Sequence, residues 1–243
     1  DLDFLKENVV LIDPSDPDNT VCFNPLERID GMDTDMVAGE LVEVFKKIFG
    51  SAWGNRMAAL LTNSLIALIE NNLTLAELSS FITNFKFRSM ILENVQNQSC
   101  REYFFEDFNL QTTKTQREWA ESTLNKVGAL LNNSKVRQMF ASPKSSFSFR
   151  EIMDKQKILL VKLDRGRLKG SADLLGSLLL AKIQMTAFAR TDMLEAERLP
   201  FYLYVDEFQN FATESFIETL AQSRKYKLPL ILAHQNLAQL PPA

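Results

Sequence analysis

Two adjacent carboxylates, Asp206 and Glu207, close the apolar run Phe201-Tyr202-Leu203-Tyr204-Val205. Such a run reads as a strand. Two carboxylates at its end are costly unless a cation joins them, because repulsion and desolvation both oppose double ionisation. Mg²⁺ meets that need in phosphate-handling enzymes: a strand-end Asp holds the metal's shell, and a following Glu polarises the attacking water as general base. The carboxyl ends of strands are also where open α/β sheets bind ligands. A second reading, equally compatible with the local pattern, has Asp206 capping the next turn and Glu207 solvated.

Other polar residues fall at element ends. His234-Gln235 follow the apolar run Pro229-Leu230-Ile231-Leu232-Ala233. Gln235 beside the carboxylates would suit a γ-phosphate sensor or a water-orienting group; as an ordinary loop residue it would serve backbone hydrogen bonds. His234 reads as structural. Arg224-Lys225 lie late in a helix expected over about 213–226. They either offset its C-terminal dipole or reach a phosphate across a subunit boundary. Arg165, Arg167 and Lys169, in the turn 164–170, could contact nucleic-acid phosphates or form a solvated surface. None of the eight glycines opens a G-x-x-x-x-G-K-[ST] phosphate loop.

The elements that must position these residues follow from composition and periodicity. The 243 residues, 46% hydrophobic and 24% charged, exclude disorder and collagen-like repeats. Eight Gly and eight Pro are too few for an all-β barrel or sandwich. Cys22 and Cys100 fit no metal-ligand spacing, and both are expected as reduced thiols in a cytoplasmic protein. No apolar run is expected to reach the roughly 18–20 residues of a membrane span. Val9-Val10-Leu11-Ile12 reads as a strand covered on both faces. Helical stripes follow: Val37 to Phe49, Met57 to Ile69, Leu75 to Phe85 opened by a Thr74/Glu77 capping box, and Ala120 to Leu131. Strand signals return at 157–163, an all-round apolar helix spans 172–190, and strands at 201–205 and 229–233 complete an α/β pattern with one parallel sheet.

Together, several stretches resemble bacterial conjugative DNA-transfer ATPases, the type IV secretion coupling proteins of the HerA/FtsK class of DNA pumps. These are Leu11-Ile12-Asp13-Pro14-Ser15-Asp16-Pro17, Cys22-Phe23-Asn24-Pro25-Leu26, Phe49-Gly50-Ser51-Ala52-Trp53-Gly54-Asn55-Arg56, Tyr204-Val205-Asp206-Glu207-Phe208-Gln209-Asn210-Phe211, Arg224-Lys225-Tyr226 and Ala233-His234-Gln235. The resemblance implies a parallel RecA-like P-loop NTPase sheet, partial here, with an inserted all-α subdomain: residues 1–32 and 151–243 in the motor, 33–150 in the insertion. It implies ATP and Mg²⁺ as cofactors. Asp206 takes the nucleotide-binding, Mg²⁺-coordinating position, Glu207 the water-activating one and Gln235 the sensor, while Arg224 or Lys225 resembles the basic residue that reaches a neighbouring subunit's nucleotide. DNA passing through the pore of a homo-oligomeric ring, with six subunits expected, is implied as cargo, with relaxase or secretion-channel proteins as partners.

The same resemblance implies a cytoplasmic location at the inner membrane's cytoplasmic face, with any membrane attachment in segments beyond this chain. In that family the phosphate loop precedes the Leu11 strand. Its absence here, with a start at Asp1 instead of Met, reads as truncation, and the fragment alone is expected to hydrolyse ATP poorly or not at all. Two other readings remain open at this point: a helical adaptor that recognises a protein partner, and a DNA pump for chromosome or phage packaging.

Overall fold

Apolar side chains recurring every three or four residues build the helical part of the chain, which the computed structural model describes together with the rest over residues 7–16, 21–131, 133–220 and 222–234. Helix α1 (Thr34–Phe49) stops at Gly50, whose φ of 50° is least costly for a residue without Cβ. It packs on α2 (Asn55–Glu70), which buries Leu60, Leu61, Leu65 and Leu68. The capping box forms: Thr74 Oγ1 accepts the Ala76 amide at 3.1 Å, and Glu77 Oε2 accepts the Thr74 amide at 2.8 Å.

The helix expected to run on to Phe85 instead breaks into α3 (Leu78–Thr83) and α4 (Phe85–Leu92). Asn84 causes the break. Its side chain accepts the Phe87 amide at 3.2 Å, competing with the helical ladder, and Phe85 turns outward to 60% exposure. Arg88 is fully buried at this junction and donates to the Phe81 and Ile82 carbonyls (3.2 and 2.8 Å) and to Asn109 Oδ1 (3.0 Å). Phe104 packs edge-on against Phe81 and Phe108 across a π-helical turn, Tyr103–Asp107, and α5 (Thr113–Leu131) follows.

These helices form one compact unit, Cys22–Arg28 with Met32–Ser146; the other comprises Asp1–Val21, Ile29–Gly31 and Phe147–Ala243. Cys22–Arg28, expected with the motor part, lies with the helices because its hydrogen bonds lead there. The Phe23 amide donates to Met139 O (2.8 Å), and Asn24 Nδ2 donates to Leu73 O (3.2 Å) and Pro143 O (2.9 Å). Both cysteines are free thiols. Cys100 donates to Asn63 O at 3.2 Å, and burial pushes its thiol up to about 12.

In the second unit the strands are parallel, as expected, but they form two pairs where one sheet was expected. β1 (Val9–Ile12) pairs with β2 (Ile158–Val161), and β3 (Leu203–Val205) with β4 (Leu230–Leu232). No strand among the described residues bridges β2 to β3. The apolar runs are also not covered on both faces: Leu11 is 40% and Leu160 51% exposed. Side chains alternate across a strand, so Leu203, Val205, Leu230 and Leu232 meet Leu180 of α6 (Gly170–Ala189) and Phe216 of α7 (Glu214–Leu220), while Tyr204 points away, 71% exposed.

Helix α6 is buried on nearly all sides, as a crossover helix should be. The segment Gly170–Asp192 is, against the sequence expectation, long and apolar enough to cross a membrane by length and composition. With 83% of its apolar window buried in the protein, packing in the core accounts for that composition.

At the carboxyl ends of β1 and β2, Lys162 Nζ donates to Asp13 Oδ2 at 2.8 Å, and Ser15 donates its amide (2.9 Å) and its hydroxyl to Asp13 Oδ1. The Lys162 ammonium, then Ser15, hold the Asp13 carboxyl at about 2 against its usual 3.8. A carboxyl depressed on folding stabilises above its unfolded value and loses that contribution as pH falls through the folded one. The stability difference between the native chain and Asp13→Asn is therefore expected nearly in full above about pH 4, to shrink progressively below that and to be lost only once the pH is below about 2, measured as urea midpoints across that window.

Candidate functional site

The carboxylate pair sits where β3 runs out. The ladder continues one step past β3, with the Ala233 amide donating to Val205 O (2.9 Å), and then the chain turns so that the Phe208 amide donates to Ala233 O (3.1 Å). These bonds set the Asp206-Glu207 turn against the carboxyl end of β4. Asp206 is exposed, and its Oδ1 accepts the Glu207 amide at 3.0 Å. Glu207 is half-buried in the left-handed region, φ 53° and ψ 41°. A non-glycine residue held there costs on the order of 1 kcal/mol, and such residues cluster at functional sites.

Gln209 Nε2 donates to Glu207 Oε2 at 2.6 Å, so this carboxylate is held and does not wave in solvent. Asp206 is exposed and, among the described residues, bonds only to the next amide, and Glu207, expected to be solvated if it served no chemistry, is half-buried and bonded to Gln209. Sequence reasoning missed Gln209; a Gln two residues beyond a strand-end Glu, on the same turn, was the available signal. Beneath the turn Phe208 is buried and meets the His234 ring edge-on at 6.0 Å. His234 Nδ1 has no hydrogen-bond partner among the described residues.

A close approach fixes the far side of the turn. A Cβ built on Gly176 of α6 would lie 2.5 Å from Phe211 Cε1 and 2.9 Å from Leu163 Cδ1, so only glycine lets α6 meet the residues that follow β2 and β3. Thr213 Oγ1 accepts the Phe216 amide at 3.1 Å and starts α7 directly after.

The remaining sequence-predicted residues are less concentrated. Gln235 lies outside the described residues, one position beyond His234. The helix expected over 213–226 ends at Leu220, because the polar run from Gln222 to Lys225 offers the core no apolar face. Arg224 and Lys225 are exposed in the turn that follows, and Lys225 Nζ lies 5.8 Å from the Tyr226 ring, itself packed on Phe188 at 4.3 Å. The Phe201 amide donates to Lys227 O at 2.9 Å, which puts this turn at the amino end of β3, opposite Asp206 and Glu207.

In the segment 164–170 the expected turn is a helical turn, Arg165–Leu168, started by Asp164 Oδ1 accepting the Arg167 amide at 3.1 Å. Arg165 pairs with Asp173 (2.8 Å) and Arg167 with Asp164 (3.4 Å), which favours the solvated-surface reading of that segment.

No group of three or more His, Cys, Asp or Glu that could hold a metal occurs among the described residues. A single exposed strand-end carboxylate suits Mg²⁺, which binds one or two carboxylates together with substrate phosphates and water instead of an all-protein cage.

Structures of conjugative coupling proteins share this fold. The bacterial conjugative coupling protein TrwBdeltaN70 in its unbound monoclinic form matches with TM-score 0.58 and 12% identity, over 95% of this chain and 52% of that one. Plasmid coupling protein TrwB in complex with the ATP analogue ADPNP gives TM-score 0.59 at 12% identity, over 95% and 53%. TrwB in complex with ADP and Mg²⁺ gives 0.56 at 12% identity, with the same coverage. The chain thus spans about half the length of the coupling-protein structures it matches. No curated protein sequence matches it. A family model described as "Type IV secretory system Conjugative DNA transfer" matches residues 4–242, and the chain belongs to that family.

Proposed function

We propose that this chain is part of an ATP-driven DNA translocase, the coupling protein of a conjugative type IV secretion system, with the Asp206-Glu207 turn as its hydrolytic centre. The observation that carries the reading is the turn itself: two carboxylates at the carboxyl end of a parallel strand, one exposed, the other on a left-handed residue with its carboxylate held by Gln209. The family match and the fold shared with a coupling protein solved with ADPNP and with ADP and Mg²⁺ support it.

Asp206 would hold Mg²⁺ beside the nucleotide phosphates, where the ion offsets phosphate charge. Glu207 takes the proton of the attacking water as the γ-phosphorus–oxygen bond to the leaving diphosphate breaks. Gln235 would sense the γ-phosphate. Arg224 and Lys225, at the opposite end of β3, would serve only a nucleotide bound by another subunit, in keeping with a ring, six subunits being the expected number. DNA in the ring's pore, relaxase or channel proteins as partners and a place at the inner membrane's cytoplasmic face belong to the same reading. These 243 residues contain no phosphate loop of the G-x-x-x-x-G-K-[ST] form, so the motor needs that cradle from sequence beyond them.

Mg²⁺ titration of ATP turnover in the full-length protein tests this reading. Asp206→Ala should shift half-maximal activation to higher Mg²⁺; an unmoved curve would remove Asp206 from the site. Gln209→Ala is expected to lower kcat by about 10- to 100-fold, the worth of a hydrogen bond to a charged group, with KM for ATP unchanged. Steady-state kinetics of the two variants side by side checks both.

A further inference from the structure

Behind the exposed turn that carries Arg224 and Lys225 lies a nearly buried arginine, Arg198. The turn is closed by its own backbone. The amides of Lys225, Tyr226 and Lys227 donate to Gln222 O, Ser223 O and Arg224 O (3.0, 3.2 and 3.1 Å), and Lys227, at φ 53°, lets the Leu228 amide return to Ser223 O at 3.0 Å. That is the bond pattern of a Schellman cap. The Lys225 carbonyl, left over by this pattern, accepts Arg198 Nη1 at 3.2 Å. The other edge of the same guanidinium donates to Met193 O, from Nε at 3.2 Å and from Nη2 at 2.8 Å.

The segment that carries Arg198 is itself held on both sides. Fully buried Arg190, at the end of α6, donates to Leu199 O at 2.6 Å and pairs with Asp154 across 3.3 Å. Arg150, on the short helix Phe149–Asp154, clamps Asp192 with two bonds (3.1 and 2.9 Å) and also bonds to Asp154. A buried guanidinium is a costly way to fill space, since an apolar side chain of that volume packs with no charge to desolvate. What arginine adds is a rigid planar fork whose two edges fix two backbone segments relative to each other. Cations on a loop need that fixing if they must meet a phosphate, because misplacement by about 1 Å costs about 10²-fold in rate.

We propose that Arg198 is a positioning residue for catalysis in trans: it holds the Lys225 carbonyl so that the Arg224-Lys225 turn meets the nucleotide of the neighbouring subunit. The inference rests on the reading of that turn as the one that reaches across a subunit boundary. Arg198 touches no reacting atom and acts only through the turn.

ATP turnover by the full-length protein tests it. Arg198→Leu is expected to lower kcat about 10- to 100-fold with KM for ATP unchanged, because the turn lies at the end of β3 opposite Asp206 and Glu207. Added to Arg224→Ala/Lys225→Ala, it should cause no further loss. Co-expression of two variants gives the sharpest readout. Glu207→Gln subunits keep the turn and lack the base, whereas Arg198→Leu subunits keep the base and lack a fixed turn. Their mixed assembly should turn over ATP faster than the mean of the two alone, which a role confined to the stability of one subunit would not produce. Where Arg198→Leu does not fold, Arg198→Gln, which keeps one donor group, is read in the same assays. Normal kcat in the Arg198 variant overturns the proposal, as does a loss that adds in full to that of Arg224→Ala/Lys225→Ala. The proposal also falls, and the trans-acting turn stands, if Arg224→Ala/Lys225→Ala subunits gain on mixing with Glu207→Gln and the Arg198 variant does not. No gain in either mixture removes the trans-acting turn and this inference together.

Discussion

Full-length protein carrying Glu207→Gln is expected to bind ATP normally and to turn it over about 10²- to 10⁴-fold more slowly, the usual worth of a general base. Glutamine keeps the size of the side chain and can still bond to Gln209, so the substitution removes the proposed base and little else. The unchanged binding matters as much as the lost rate. A group that acts only as the phosphoryl bond breaks changes kcat without changing nucleotide affinity.

Glu207→Gly gives a second view of the same position. Glycine has no Cβ to strain at φ 53°, so this variant should be equally stable or more stable by up to about 1 kcal/mol, even as turnover falls. A residue that is held at a steric cost, and whose relief abolishes activity while sparing the fold, is there for chemistry. Thermal melts with nucleotide-binding and turnover assays on both variants check this.

Substitution at Gly176 should be the most damaging single change to the fold around the site. Replacing it with Ala gains helix propensity worth about 1 kcal/mol. The new Cβ, however, falls 2.5 Å from Phe211 Cε1 and 2.9 Å from Leu163 Cδ1, and the Phe211 ring, partly buried against the Leu180 and Phe216 cluster, must shift to make room. Overpacking of this kind costs about 1–3 kcal/mol net for Ala and more for Val. Because Phe211 immediately follows the turn that carries Glu207, the clash also moves the carboxylate, and displacement by about 1 Å is enough to cost about 10²-fold in rate. Pairing Gly176→Ala with Leu163→Ala, which vacates part of the space, should recover some of the stability. Urea denaturation of the single and double variants measures it, and additive losses would show that the two sites do not touch.

How much of this was legible in the sequence differs from element to element, for physical reasons. The carboxylate pair stood out because charge at the end of an apolar run is costly wherever it occurs. Helices α1, α2 and α5 were visible because each carries an unbroken stripe. Asn84 was not seen as a break, since its effect depends on a side chain turning back to an amide three residues on. The aromatic segment around Tyr103–Asp107 has no 3.6-residue stripe because it is wound as a π-helix. Strand identity was legible and strand partnership was not: an apolar run at 157–163 says that β2 exists, but neither that it pairs only with β1 nor that Leu160 faces solvent. Gln209 was missed although its spacing from Glu207 was in view, because whether its side chain turns back to that carboxylate depends on the left-handed turn between them, which the sequence does not announce.

The central claim is that the Asp206-Glu207 turn powers DNA movement. Its most direct test is ATP turnover by the full-length protein, with and without DNA, in native and Glu207→Gln forms. The account predicts Mg²⁺-dependent turnover that DNA stimulates in the native protein and fails to stimulate in Glu207→Gln. DNA-stimulated turnover of equal rate in both forms would contradict it.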